Sequence, residues 1–161
     1  MLVLTANQQQ QLQAACEAAY PEEGCGLLLG RRDRDRNCVL EVRPTANVWD
    51  ETAAGEFTEI ASIPRDCSRR HNFAIAPTEL LRAQKETRAR GWEILGVFHS
   101  HTDAPAQPSE FDRAIAWSEY SYVILSVMAG HAIDWRCWQL DMAGKFQAEL
   151  WAIVPSSLGV N

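Results

Sequence analysis

The stretch EILGVFHSHTDAPAQPSEFD runs from Glu93 to Asp112. Glu93 to His101 reads as a strand, Thr102 to Pro108 as a loop, and Ser109 to Trp117 as a short helix. His99 and His101 stand two residues apart. Side chains at i and i+2 of a strand share one face, about 6–7 Å apart along it. Two imidazoles so placed can converge on a single metal ion, with Zn–N distances near ~2 Å. A third ligand must then come from elsewhere, leaving a fourth position for water. Asp112 is the leading candidate, because the loop can fold the chain back and the helix can aim the carboxylate at the histidines. A purely structural reading competes with this one. SEFD fits the capping box, with Ser109 as N-cap and Asp112 in the first turn. The two remaining histidines, His71 and His131, show no ligand spacing and are read as a loop and a turn residue.

Outward from this segment, strands mix with three helices. Ala6 to Tyr20 reads as a helix with Thr5 as its N-cap and Pro21 as its stop. Cys25 to Gly30 (CGLLLG) is an apolar run between glycines, which suits a buried strand. Arg31 to Asn37 is a charged hairpin turn, and Cys38 to Trp49 is a second strand. Asp50 to His71 has little periodicity and reads as a long loop, the kind that is often functional. Asn72 to Ala76 is predicted as a strand. Pro77 to Arg90 is a helix, with proline at its start and Gly91 just past its end. Tyr122 to Met128, Ala132 to Leu140 and Phe146 to Val154 are the last strands. The tail after Pro155, residues 156–161, is small and polar and is expected to fray. The pattern predicts one α/β domain of the mixed α+β kind over residues 1–155.

Composition narrows the function. A length of 161 residues suits one domain able to bury a core without staples. The formal charge is −6, and the basic cluster at Arg31, Arg32, Arg34 and Arg36 is interrupted by Asp33 and Asp35. No nucleic-acid partner is expected of such a surface. No apolar run approaches the ~20 residues of a membrane span, and the N-terminus does not read as a secretory signal. The five cysteines are odd in number, widely spaced and without a CxxC pair. They are expected to be free thiols in a reducing cytoplasm.

HSH, seven residues, then SEFD resembles the JAMM signature H-x-H-x7-S-x-x-D at all four defining positions. Upstream, PEEGCGLLLG from Pro21 to Gly30 resembles the segment that carries the catalytic glutamate of that family. The match aligns Glu23 with it, and Glu22 is the runner-up one residue away. The NFAIAP stretch and the pair Asn47-Val48 resemble bacterial members more weakly. The chain is therefore identified as similar to the JAMM/MPN+ (JAB domain) metallopeptidases, of the small stand-alone bacterial type. The resemblance implies a single MPN-type domain, a curved mixed β-sheet flanked by helices. It places the metal site at the HxH strand and the following helix. One departure is Thr102, where family members often carry proline; this puts the rigidity of the loop in question and leaves the ligands in place.

The same resemblance implies one Zn²⁺ per chain held by His99, His101 and Asp112, with water as fourth ligand. It implies Glu23 as general acid–base and Ser109 as a hydrogen-bond donor to the oxyanion. The expected reaction is hydrolysis of peptide or isopeptide bonds after the C-terminal glycines of a ubiquitin-like or sulfur-carrier protein. Substrate contacts are expected in the 50–71 segment, with Trp49 and Phe57 available to pack on a partner or in the core. Two other readings exist. HSHTD also begins the H-x-H-x-D motif of metallo-β-lactamases, but the next residue is Ala104 rather than histidine. MPN domains without metal serve as scaffolds in larger assemblies, yet this chain keeps the full ligand set.

Overall fold

The computed structural model describes residues 1–155. The predicted frayed tail therefore lies outside the described residues. Twelve elements follow in order: β1 (Leu2–Thr5), α1 (Ala6–Ala19), β2 (Cys25–Asp33), β3 (Arg36–Thr45), α2 (Glu51–Ala61), α3 (Pro77–Arg90), β4 (Glu93–Thr102), α4 (Glu110–Ile115), β5 (Ser121–Met128), β6 (His131–Leu140), β7 (Phe146–Ala148) and β8 (Trp151–Val154).

The strands form one mixed sheet in the order β7-β6-β5-β4-β2-β3-β1-β8. Its two edges, β7 and β8, are separated in the chain only by Glu149 and Leu150. Three residues of extended chain reach at most about 11 Å, so the edges must approach each other and the sheet must curl. Trp135 of β6 packs against Trp151 of β8 with ring centroids 4.2 Å apart. The apolar residues Leu12 and Cys16 of α1 join a core with Leu28, Phe98 and Leu125 from the middle strands. The N-cap predicted at Thr5 is present, and the structure extends it to a capping box: Thr5 Oγ1 accepts from Gln8 N, and Gln8 Oε1 accepts from Thr5 N.

The run CGLLLG is apolar throughout because β2 is covered on both faces. Leu28 faces the core that contains α1, while Leu27 and Leu29 face α3 through Ala83. At Gly96 the crossing to β5 leaves no room for a side chain: a Cβ there would lie 1.9 Å from the Ser121 carbonyl oxygen. Gly96→Ala is expected to cost at least about 1–3 kcal/mol, read as a lower denaturation midpoint, because the obstacle is backbone and cannot rotate away.

Several predicted elements need correction. The N-terminal LVLT is a strand, paired in parallel with both β3 and β8. The 50–71 segment is not one long loop: α2 occupies Glu51–Ala61, with Asp50 Oδ1 accepting from Ala53 N. Asn72 to Ala76 is not a strand, since its polar backbone is met elsewhere: Val48 N donates to Ala74 O, and Ala74 N donates to the Asn47 side chain. The turn after β2 is shorter than predicted, with β2 reaching Asp33 and β3 starting at Arg36. β3 also ends at Thr45, short of Trp49. The predicted last strand is two, β7 and β8, at opposite edges. Trp49 is buried and packs with Phe57 and Phe111, so these aromatics form a satellite core rather than a partner-facing surface. No described helix is long and apolar enough to cross a membrane.

Candidate metal centre

β4 runs between β2 and β5, in register with Cys25 opposite His99. Ser100, between the two histidines, locks this register. Its N–H donates to Gly24 O at 2.9 Å, and its Oγ accepts from Gly24 N at 2.8 Å. The residue before Gly24 is thereby held beside the histidines. Glu23 N donates to Arg69 O at 2.8 Å, and Glu23 O accepts from Asn47 Nδ2 at 3.0 Å. The Glu23 side chain is buried and lines a cavity of about 210 Å³ shared with His101, Ser109 and Asp112. Glu22, one residue earlier, is exposed and lies 3.9 Å from Arg69.

His99 Nε2 and His101 Nε2 are 3.1 Å apart. His99 Nε2 is 3.5 Å from Asp112 Oδ1, and His101 Nε2 is 3.5 Å from Asp112 Oδ2. A tetrahedral ion with bonds of about 2.0–2.1 Å separates its ligand atoms by about 3.3–3.4 Å. The three donors are thus spaced as such an ion requires, and two nitrogens with one carboxylate suit a divalent transition metal. His101 Nδ1 lies 2.9 Å from Pro105 O, a contact that fixes its proton there and turns Nε2 toward the cluster. His99 lacks such a bond: its buried Nδ1 has no partner among the described residues. Its ring is held instead by Phe73, stacked at 4.5 Å.

The capping and ligand readings of Asp112 are compatible, because one carboxylate does both. Ser109 N and Ser109 Oγ each donate to Asp112 Oδ2 at 2.7 Å, while Asp112 N donates to Ser109 Oγ at 3.1 Å. Both carboxylate oxygens still face the histidines.

Electrostatics separates the two acids. Burial pushes the Asp112 carboxyl up, but the imidazoles and Ser109 outweigh it and hold the group well below the usual carboxylate range. Burial, reinforced by Asp112 and opposed by Arg65, pushes the Glu23 carboxyl up to about 9. Burial likewise drives His99 down to about 4, so it is neutral at pH 7, the state a ligand needs.

Thr102, in place of proline, is buried and donates from Oγ1 to Arg70 O. Asp103 accepts from Tyr20 Oη, from Arg70 Nη2 and from Ala129 N. The exit from β4 is therefore tied by side-chain hydrogen bonds. Those bonds direct Asp103 to Tyr20, Arg70 and Ala129 and remove the H-x-H-x-D reading. Sequence spacing carried no signal for Arg65 or for His71, read as a loop residue, yet both line the cavity; Asn72 and Phe73 beside them belong to the NFAIAP stretch, which resembled bacterial members only weakly.

Comparison with known proteins places the chain. Residues 5–141 match the family described as prokaryotic homologs of the JAB domain. The chain belongs to this JAB/MPN family, and its curved mixed sheet with flanking helices is the MPN-type fold. It is 30% identical over 107 residues to a desampylase of Haloferax volcanii, covering 66% of this chain and 63% of the relative. It is 31% identical over 104 residues to a Thermus thermophilus protein named "Probable TtuB-protein conjugate cleaving protease", covering 65% and 55%. The matches thus span between about half and two thirds of these relatives' own length. The solution structure of protein DSY2949 from Desulfitobacterium hafniense is 30% identical, covers 100% of this chain and 99% of that one, and superposes with a TM-score of 0.74.

Proposed function

We propose that residues 1–155 form a zinc-dependent hydrolase of peptide or isopeptide bonds. The bond cleaved follows the C-terminal glycines of a ubiquitin-like or sulfur-carrier protein. The observation that carries this reading is the triangle of His99, His101 and Asp112 donors sharing one cavity with the buried Glu23. The names of the two curated relatives support the choice of protein conjugates as substrates. The cysteines are all free, which suits a reducing cytoplasm.

His99 and His101 would hold the ion through Nε2, and Asp112 through its carboxylate. Bound there, zinc supplies Lewis acidity and a water whose pKa falls toward ~7. Glu23, held as a carboxylate by the charge of the bound ion despite its burial, takes the proton of the attacking water and returns it to the leaving amine. Ser109 turns its Oγ–H from Asp112 to the developing oxyanion. A glycine-rich tail fits such a cavity, because its backbone can pass close to the reacting centre and can pair with a strand edge. The test is incubation of zinc-loaded protein with Gly-Gly-tailed modifiers joined to a peptide or a lysine, read by mass spectrometry. Absence of cleavage in every linkage would refute the reading.

Ser109 separates structural from catalytic roles. As a cap alone, Ser109→Ala costs about 0.5–2 kcal/mol of stability and leaves turnover of the folded protein intact. As an oxyanion donor, its loss lowers kcat by up to about 10²–10³-fold with little change in KM. We expect the second result. Ser109→Asp, an excellent cap that cannot donate when ionised, is expected to fold and be nearly inactive. Zinc content is measured alongside, since the new carboxylate stands near the ligands. Wild-type rates in both zinc-loaded variants would leave Ser109 as a cap only.

A further inference from the structure

Arg65 is a half-buried guanidinium in the wall of the cavity that holds Glu23, Ser109 and Asp112. Its position is set by neutral groups. Nε donates to Asn72 Oδ1 at 2.5 Å, Nη2 donates to His71 O, and the guanidinium carbon lies 4.4 Å from the centre of the Phe111 ring. Asn72 is itself buried and bonded to Asp66 and Ser68, so the anchor is firm. Two of the five N–H groups are used in these bonds, and three remain.

No carboxylate lies within 4.0 Å of Arg65 among the described residues. Its neighbours in the same segment differ: Arg69 lies 3.9 Å from Glu22 and Arg70 lies 2.5 Å from Asp103. A half-buried, oriented guanidinium that shares its cavity with Glu23 but makes no direct carboxylate contact keeps donors for a bidentate partner, and carboxylate is the geometric match.

The reaction limits where such an anion can sit. Glu23 must protonate the leaving amine, so this nitrogen lies next to Glu23. In a leaving amino acid the α-carboxylate is two bonds beyond the nitrogen, and so falls within the cavity that Arg65 lines together with Glu23. The cavity, about 210 Å³, is on the scale of a residue or two, not of a folded protein.

Resting on the function proposed above, we infer that Arg65 is a specificity residue that binds the α-carboxylate of the leaving group. The preferred substrate is then a glycine-tailed protein extended by one C-terminal amino acid with a free carboxylate. A lysine-linked conjugate offers no such group at that distance.

The test compares a Gly-Gly-tailed carrier extended by one residue as the free acid with the same carrier ending in a carboxamide. A charge-assisted hydrogen bond predicts a kcat/KM ratio of roughly 10–100 in favour of the acid for zinc-loaded wild type. Arg65→Gln should bring the ratio near one, and Arg65→Lys should keep part of it. A wild-type ratio near one overturns the assignment. So does an Arg65→Gln that slows both substrates equally, since that marks Arg65 as a brace for Asn72 and His71. If wild type cleaves neither substrate nor any lysine-linked conjugate, the parent reading fails and this inference with it; cleavage of lysine-linked conjugates alone overturns only this inference.

Discussion

Glu23→Gln is expected to keep its zinc and lose about 10²–10⁴-fold in kcat, the usual loss on removing a general base. Glutamine fills the same buried space and keeps the backbone bonds to Arg69 and Asn47, but it cannot take a proton. Elemental analysis and single-turnover rates of the same sample separate the roles. Loss of zinc would make Glu23 a ligand, and an inactive Glu22→Gln beside an active Glu23→Gln would move the base one residue upstream. The variant has a second signature in metal-free protein. With its carboxyl raised from 4.5 to about 9, Glu23 holds its proton when folded and releases it when unfolded at neutral pH. The folded state binds more protons, so wild-type stability falls as pH rises from about 4.5 to about 9. Glu23→Gln removes this slope, and the metal-free variant should melt above metal-free wild type at pH 7.

His99→Ala and Asp112→Asn are expected to abolish zinc binding, or weaken it severely, and to lose activity to background. Each removes one corner of a donor triangle whose sides are 3.1, 3.5 and 3.5 Å. The two variants should differ in stability. His99 is fully buried against Phe73, so His99→Ala also leaves a cavity. Asp112→Asn keeps the shape and the capping oxygen for Ser109 but gives up the charge the imidazoles favour. Metal content and thermal melts with and without added zinc read both effects. Stoichiometric zinc in either variant would place the ion elsewhere.

The candidate ligands could be read early because they lie in one contiguous segment. His99 and His101 share a strand face by the period of two, and Asp112 returns on the next helix after a short loop. Glu23 was not legible in that way. A glutamate after a proline is ordinary, and only resemblance singled it out, until Ser100 pinned Gly24 beside the histidines. β2 was readable because CGLLLG is an apolar run too short for a helix, and its six residues are all buried.

By itself, the sequence determined the features that local periodicity encodes: the HxH strand, the capped helix after it, α1 with its Thr5 cap, and the apolar run of β2. Tertiary structure alone decided the rest. LVLT is four residues long, and its partners in β8 lie at the far end of the described chain, so nothing near it in sequence could announce pairing. Asn72 to Ala76 has strand-like residues but joins no strand of the sheet, and Asn47 meets its backbone instead. Arg65 enters the cavity because Phe111 and Asn72 hold it there, contacts spanning 46 and 7 residues that carry no periodic pattern. Periodicity reports which way a side chain faces within its own element; which groups meet across a cavity depends on how the curled sheet brings distant elements together.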